Sequence, residues 1–398
     1  MVSLQGAVPY WRLSGFYLFY FASLGALIPY WGLYLKGLGF DPEAIGELMA
    51  VIMATKVIAP NVWGWIADHF GQRMRIVQLG SLAALVCFAG VFLGGGYGWL
   101  ALVMTLFSFF WNAVLPQFEA VTLSHLGPQV QRYAAIRLWG SVGFILVVAG
   151  LGPVLDRLGT ALLPGVLLAL FAGIWASSLA VPQDRPPTPH AQPGSLRRVL
   201  RRPEVLVFLT VCFLMQASHG PYYTFYTLYL EGHGYSRSLI GQLWALGVAA
   251  EIGLFLVTHR VLPSLGAQRL LLLSLGLAAL RWAIIAVLPT ELAAMVFAQL
   301  LHAASFGAYH AAAIHLVHHL FVGRHQGRGQ ALYSSLSFGA GGAVGSLLSG
   351  YLWVTIGPGW VYAIASGVAL GALVLAWGWL PRGPQGATAH PLEPGPSA

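Results

Sequence analysis

The sequence predicts an all-α membrane protein of twelve transmembrane helices, arranged as two similar six-helix bundles. Composition is the first reason. Of 398 residues 58% are hydrophobic and 8% charged, whereas a soluble domain carries about 25% charged residues, so lipid is the main solvent. Segment length is the second: apolar stretches of the roughly 20 residues that span a bilayer core succeed one another along nearly the whole chain. The third is a repeat, in which the second half echoes the first at a nearly constant offset.

The spans are expected over roughly 12–35, 44–65, 76–94, 98–122, 133–155 and 160–181, then 204–230, 239–261, 269–288, 291–320, 329–355 and 359–380. The first has no small-residue cleavage site behind it and reads as a retained span, not a signal peptide. Residues 1–181 form the N-terminal bundle, 182–203 a cytoplasmic linker, 204–380 the C-terminal bundle and 381–398 a Pro- and Gly-rich disordered cytoplasmic tail. Within the linker Arg197, Arg198, Arg201 and Arg202 are expected on one face of a short helix near anionic headgroups.

A net charge of +8 invites a nucleic-acid reading, which the charge positions reject. Of the 20 Lys and Arg, all but Lys36, Lys56, Arg157, Arg237 and Arg281 fall at the cytoplasmic side when both termini are placed there, the positive-inside pattern. Cys87 and Cys212, the two cysteines, sit in separate apolar stretches and imply neither a disulfide framework nor a thiolate site. His315, His318, His319 and His325 cluster near a helix end without an accompanying carboxylate, so headgroup contact or plain surface is preferred to metal. No cofactor and no metal are expected.

At an offset of 195, Tyr34-Leu35-Lys36-Gly37-Leu38-Gly39-Phe40 lands on Tyr229-Leu230-Glu231-Gly232-His233-Gly234-Tyr235, Ile45-Gly46-Glu47-Leu48 on Ile240-Gly241-Gln242-Leu243, and Gly71 on Gly266. At 198, Gly143, Gly152 and Gly159 meet Gly341, Gly350 and Gly357. Parallel six-helix repeats build transporters whose substrate binds between the halves near the midplane. Charges at that depth are costly and are functional candidates by default: Lys56, Glu119, Arg137, Glu251 and Arg281, with His302 and His310. Lys56 and Glu251 fall at equivalent positions of the two halves. A structural pair that merely closes the halves is the competing reading. Tyr20, Tyr222 and Tyr226 stand among the aromatics of the first and seventh spans and suit a pocket for a ring.

The loop Gly64-Trp65-Ile66-Ala67-Asp68-His69-Phe70-Gly71-Gln72-Arg73-Met74-Arg75 resembles the G-x-x-x-D-R-x-G-R-R signature of the major facilitator superfamily, with His69 in place of the first basic residue. Gly64, Asp68, Gly71 and Arg73 are read as a gate motif: a tight glycine turn, with Asp68 capping a neighbouring helix and pairing with basic groups. Pro116-Gln117-Phe118-Glu119, followed eighteen residues after the Glu by Arg137, is similar to lactose permease. Ile136-Arg137-Leu138-Trp139-Gly140-Ser141-Val142-Gly143-Phe144, Leu243 to Ile252, Arg281-Trp282 and Gln299-Leu300-Leu301-His302 resemble more closely the 3-phenylpropionate permease branch. The resemblance covers both halves and implies the major facilitator fold.

It also implies roles. Glu119 and Arg137 match the ligand-binding pair, Phe144 the position of the sugar-stacking tryptophan, and Arg281 and His302 the proton-coupling group. Ser305 stands where the permease has its proton-carrying glutamate, so coupling needs another group. Glu251 is the first choice, since a desolvated carboxylate takes up a proton more readily, with His302 or His310 second; for His310 a plain interhelical hydrogen bond is the simpler reading. The expected protein is a monomeric, proton-coupled symporter of the bacterial inner membrane, not an enzyme, that imports a small organic solute. An aromatic carboxylate such as 3-phenylpropionate is preferred, because Lys56 offers a cation that a neutral sugar does not need. A sugar or nucleoside symporter is the alternative, with a drug or metabolite exporter and an intramembrane enzyme behind it.

Overall fold

A computed structural model describes residues 8–183 and 197–380. The first half comprises α1 (Tyr10–Gly37), α2 (Pro42–Phe70), α3 (Arg73–Ala89), α4 (Tyr97–Leu126), α5 (Tyr133–Leu158) and α6 (Leu163–Leu179). The second comprises α7 (Pro203–Ser218 continued by Gly220–Gly232), α8 (Arg237–Leu265), α9 (Ala267–Val287), and α10, which is Leu292–Leu300, a π-helical turn Ala303–Ala308 and Tyr309–Leu320. It ends with α11, which is Gln326–Ser334, a π-helical turn Ser335–Gly341 and Gly342–Thr355, and α12 (Pro358–Trp379). No strand occurs among the described residues.

Ten stretches are long and apolar enough to cross a membrane, one of them running from Tyr97 to Leu158. That stretch is two passes. The Tyr133 hydroxyl reaches Glu119 at 3.3 Å, whereas 14 residues of unbroken helix would set them about 21 Å apart. With α11 the passes number twelve, and the chain is a multi-pass membrane protein. Trp11, Trp65, Trp377 and Trp379 ring the face that carries both chain ends, and Tyr97, Trp99 and Trp360 ring the opposite face, all exposed, as amphipathic rings do at a membrane–water boundary.

The expected arginine face in the linker is not formed. The helix there is one turn, Arg197–Leu200, and Arg202 is extended (φ −73°, ψ 127°) because Pro203 disfavours helix in the residue before it. Most of the linker and the whole tail after 380 lie outside the described residues.

The repeat predicted from the sequence is realised as equivalent contacts. Asp41 caps α2 through Ala44 N at 2.8 Å, and Ser236, its counterpart, caps α8 through Leu239 N at 3.2 Å. Gly143 on α5 seats the backbone of α1 at Leu18, as Gly341 on α11 seats that of α7 at Phe213. Gly152 on α5 receives the start of α8 at Arg237, as Gly350 on α11 receives the start of α2 at Pro42. In each case a Cβ would sit within about 2.6 Å of backbone, closer than real contacts allow. Glycine there lets helices pack backbone to backbone, the small-residue packing favoured in lipid. The halves therefore meet along two seams, α2 on α11 and α5 on α8.

Polar ties between the halves concentrate on the face opposite the chain ends. Lys36 pairs with Glu231 at 3.2 Å, and Glu231 with Arg237 at 2.8 Å. Arg237 also donates to the carbonyl of Leu155 at 2.8 Å. Asp156 of α5 accepts from the backbone N–H groups of Arg237 and Ser238 at 3.0 and 2.9 Å, capping α8 from the other half. Tyr351 donates to Glu47.

Candidate functional site

Lys56 and Glu251 each lie 14 residues from both ends of their helices, α2 and α8, so both are at mid-depth. Their surroundings differ. Lys56 is part-buried beside the α11 seam, where the Val57 amide would lie 3.1 Å from a Cβ on Gly339. Its Nζ has Met53 Sδ at 3.5 Å and no acidic partner among the described residues. Glu251 packs against α10, where Gly307 leaves room for its Cγ at 3.1 Å from a notional Cβ.

Glu251 opens a chain of contacts within the C-terminal half. Its Oε2 lies 3.7 Å from His302 Nε2, and His302 Nδ1 lies 3.0 Å from a terminal nitrogen of Arg281. A guanidinium only donates, so Nδ1 accepts and the ring proton of neutral His302 sits on Nε2, facing Glu251. Arg281 is fully buried, donates also to Ser305 Oγ at 3.2 Å and Gln299 Oε1 at 3.3 Å, and lies 4.2 Å from the Tyr222 ring centre. Tyr222 in turn donates to Gln299 at 3.0 Å. Ser305 thus contacts the arginine at the position where the resemblance had led to expect a glutamate. Tyr226 packs on Tyr222 at 5.0 Å with its hydroxyl unpartnered in the described structure.

In the N-terminal half the expected Glu119–Arg137 ion pair is not formed. Glu119 accepts from Tyr133 instead, and Arg137 lies over the Phe21 ring at 3.7 Å and the Tyr17 ring at 5.7 Å. The cause is local: Tyr133 is one turn before Arg137 on α5 and takes the carboxylate, while Gly140 one turn after it leaves the hole that Phe21 and the guanidinium share. Arg137 lies one turn inside α5. Tyr20 stacks on Trp111 at 5.0 Å inside the half, and Phe144 is buried with its backbone against Gly25. Asn112, which the sequence reading passed over, donates to Thr55 Oγ1 and the Ile52 carbonyl, both at 2.8 Å, and ties α4 to α2 one turn from Lys56.

The two halves of the site face each other. Gly152 against Arg237 and Gly241 against Val148 fix the antiparallel register of α5 on α8, and continuing it brings residue 137 level with 252. Arg137 of α5 and Glu251 of α8 therefore stand at about the same level on facing helices. His310 Nδ1 meets the Tyr333 hydroxyl at 3.2 Å, the interhelical contact foreseen for it.

In the gate motif Gly71 ends α2 in the left-handed region (φ 65°, ψ 15°), which glycine adopts without a Cβ penalty, and Gly64 packs on Gln117 of α4. Asp68 caps no neighbouring helix among the described residues. It pairs with Arg73 of its own loop at 2.6 Å, because the glycine turn folds the start of α3 back onto it.

The chain is 30% identical over 378 residues to the "Probable 3-phenylpropionic acid transporter" of Escherichia coli (strain K12), covering 92% of this chain and 96% of that one. It is 28% identical over 371 residues to the "Maltose permease" of Geobacillus stearothermophilus, covering 90% and 92%. Among solved structures, a point mutant of the nucleoside transporter NupG superposes with a TM-score of 0.83 at 17% identity, over 93% of this chain and 98% of that one; this is a likeness of fold. Residues 10–364 match the family described as "MFS_1 like family". With its twelve helices and duplicated halves, the chain belongs to that family and is a transporter of the major facilitator type, not an enzyme.

Proposed function

We propose that the protein is a proton-coupled symporter that imports a small aromatic carboxylate by alternating access, with both termini in the cytoplasm of a bacterial inner-membrane setting. The observation that carries this reading is the position of Glu251, on α8 level with Arg137 of the other half and in contact with the His302–Arg281 network of its own. While the site is empty, Glu251 balances Arg137. A substrate carboxylate arriving at Arg137 or Lys56 replaces that balance, and a bare Glu251 at mid-depth would then be costly. Taking up a proton removes the cost, so one anion and one proton load together. Glu119 accepts substrate hydroxyls or holds Tyr133 in place, and the ties on the face opposite the chain ends keep that side closed in this conformation.

A sugar or nucleoside is the second reading, favoured by the Glu119–Tyr133 contact, which offers a carboxylate to a hydroxyl, and by the likeness to a maltose permease. The test is uptake of labelled 3-phenylpropionate, maltose and a nucleoside into proteoliposomes, with and without an acid-outside gradient. Glu251→Gln is expected to keep exchange of the accepted solute and lose gradient-driven accumulation. Undiminished uphill transport by that variant rejects the assignment of the proton to Glu251.

A further inference from the structure

Among the described helices only α10 and α11 carry π-helical turns, Ala303–Ala308 and Ser335–Gly341. Such turns are rare, disturb the regular hydrogen-bond ladder, and recur at functional sites because they re-aim side chains. Each of these turns holds one phenylalanine, Phe306 and Phe338, whose rings meet edge to face at 6.0 Å and 65°. In an ordinary α-helix residues four apart drift around the axis by about 40° per step. The wider turn cancels that drift. His302, Phe306 and His310 consequently form a near-parallel ladder, at 5.4 Å and 7° and then 6.3 Å and 9°. Phe338 closes on His310 at 5.7 Å, with Tyr333 behind both.

This wall borders the seam between the halves. Phe306, His310 and Phe338 are each part-buried, not sealed in the core. Gly339, next to Phe338, is the seat of Lys56 and Val57 on α2, and Gly307, next to Phe306, is the seat of Glu251. The register of α5 on α8 sets Arg137 of the other half level with Glu251. Ring faces on one side and two cations on the other are complementary to a ligand with a flat apolar end and an anionic end.

We infer that Phe306 and Phe338 form the ring-binding wall of the substrate site, stacking the aromatic ring of a monocarboxylate whose carboxylate is held by Lys56 or Arg137. The inference rests on the proposed aromatic-carboxylate substrate and assigns the place of its ring. The test measures binding to the purified full-length chain by calorimetry with two probes, 3-phenylpropionate and 3-cyclohexylpropionate, which share a carboxylate, a linker and a six-carbon ring. Aromatic pairing adds to plain area burial, so the wild type should prefer the phenyl probe about tenfold. Phe306→Leu combined with Phe338→Leu should remove that preference, and Phe306→Tyr combined with Phe338→Tyr, which keeps both ring faces, should retain it. Equal affinity of the wild type for both probes, or a preference that survives in the leucine variant, overturns the ring site while leaving the aryl acid as a ligand. Binding of neither probe by the wild type overturns the substrate reading and the ring site with it.

Discussion

Gly46→Ala is the most direct test of the seam between the halves. Gly46 lies on α2 where a Cβ would come 2.8 Å from Gly350 Cα and 3.0 Å from the Ser346 carbonyl oxygen, both backbone atoms of α11. Ordinary contact begins near 3.4 Å, so α2 and α11 must part by roughly half an ångström, and rigid backbone cannot rotate away as a side chain could. Overpacking of that kind costs about 1–3 kcal/mol. The cost falls only on the state in which this end of the seam is shut. A two-state equilibrium biased by that amount moves about five- to 150-fold toward the other state. Spin labels at the exposed positions Leu38 and His233, on either side of the seam, report the separation by pulsed electron–electron resonance. The wild type should give a short distance and Gly46→Ala a longer one, with slower exchange. Gly165→Ala is the control, since nothing lies within 4 Å of its Cβ position. An unaltered distance distribution in Gly46→Ala would refute the claim that backbone contact at this glycine closes the seam.

Asp156→Asn keeps the shape of the cap on α8 and removes its charge, which strengthens hydrogen bonds from backbone N–H groups. The same label pair should shift toward longer distance, by less than in Gly46→Ala. Arg281→Lys replaces a planar fork by a point charge in a fully buried site where three side-chain acceptors are met. The expected loss is about 2–4 kcal/mol of stability, read as a lowered Tm in detergent, together with loss of gradient-driven uptake.

Much of the fold was legible because glycine leaves a trace that physics enforces. Gly143 and Gly341, or Gly152 and Gly350, could be paired from spacing alone, and each pair makes the same backbone contact in its half. The passes were legible from apolar length, and the site's charges from their cost in lipid. Pairings among those charges were less so. Glu119 and Arg137 stood at a familiar separation, yet nothing in that separation reveals that Tyr133 reaches the carboxylate first or that Gly140 turns Arg137 toward Phe21. Asp68 likewise meets the side chain of Arg73, the first residue of α3, and not the backbone of a helix start. The π-helical turns left no sign, because no residue type demands them; they follow from how α10 and α11 pack.

The contact between Lys36 and Glu231 joins residues 195 positions apart, the interval that relates one half to the other. Each is therefore the other's counterpart across the approximate twofold axis normal to the membrane. Two identical chains assembled around such an axis would bring lysine to lysine or glutamate to glutamate there, and the repulsion would pry that end apart. Joining the copies in one polypeptide frees the two positions to differ, so attraction can occupy the one place where strict symmetry forbids it.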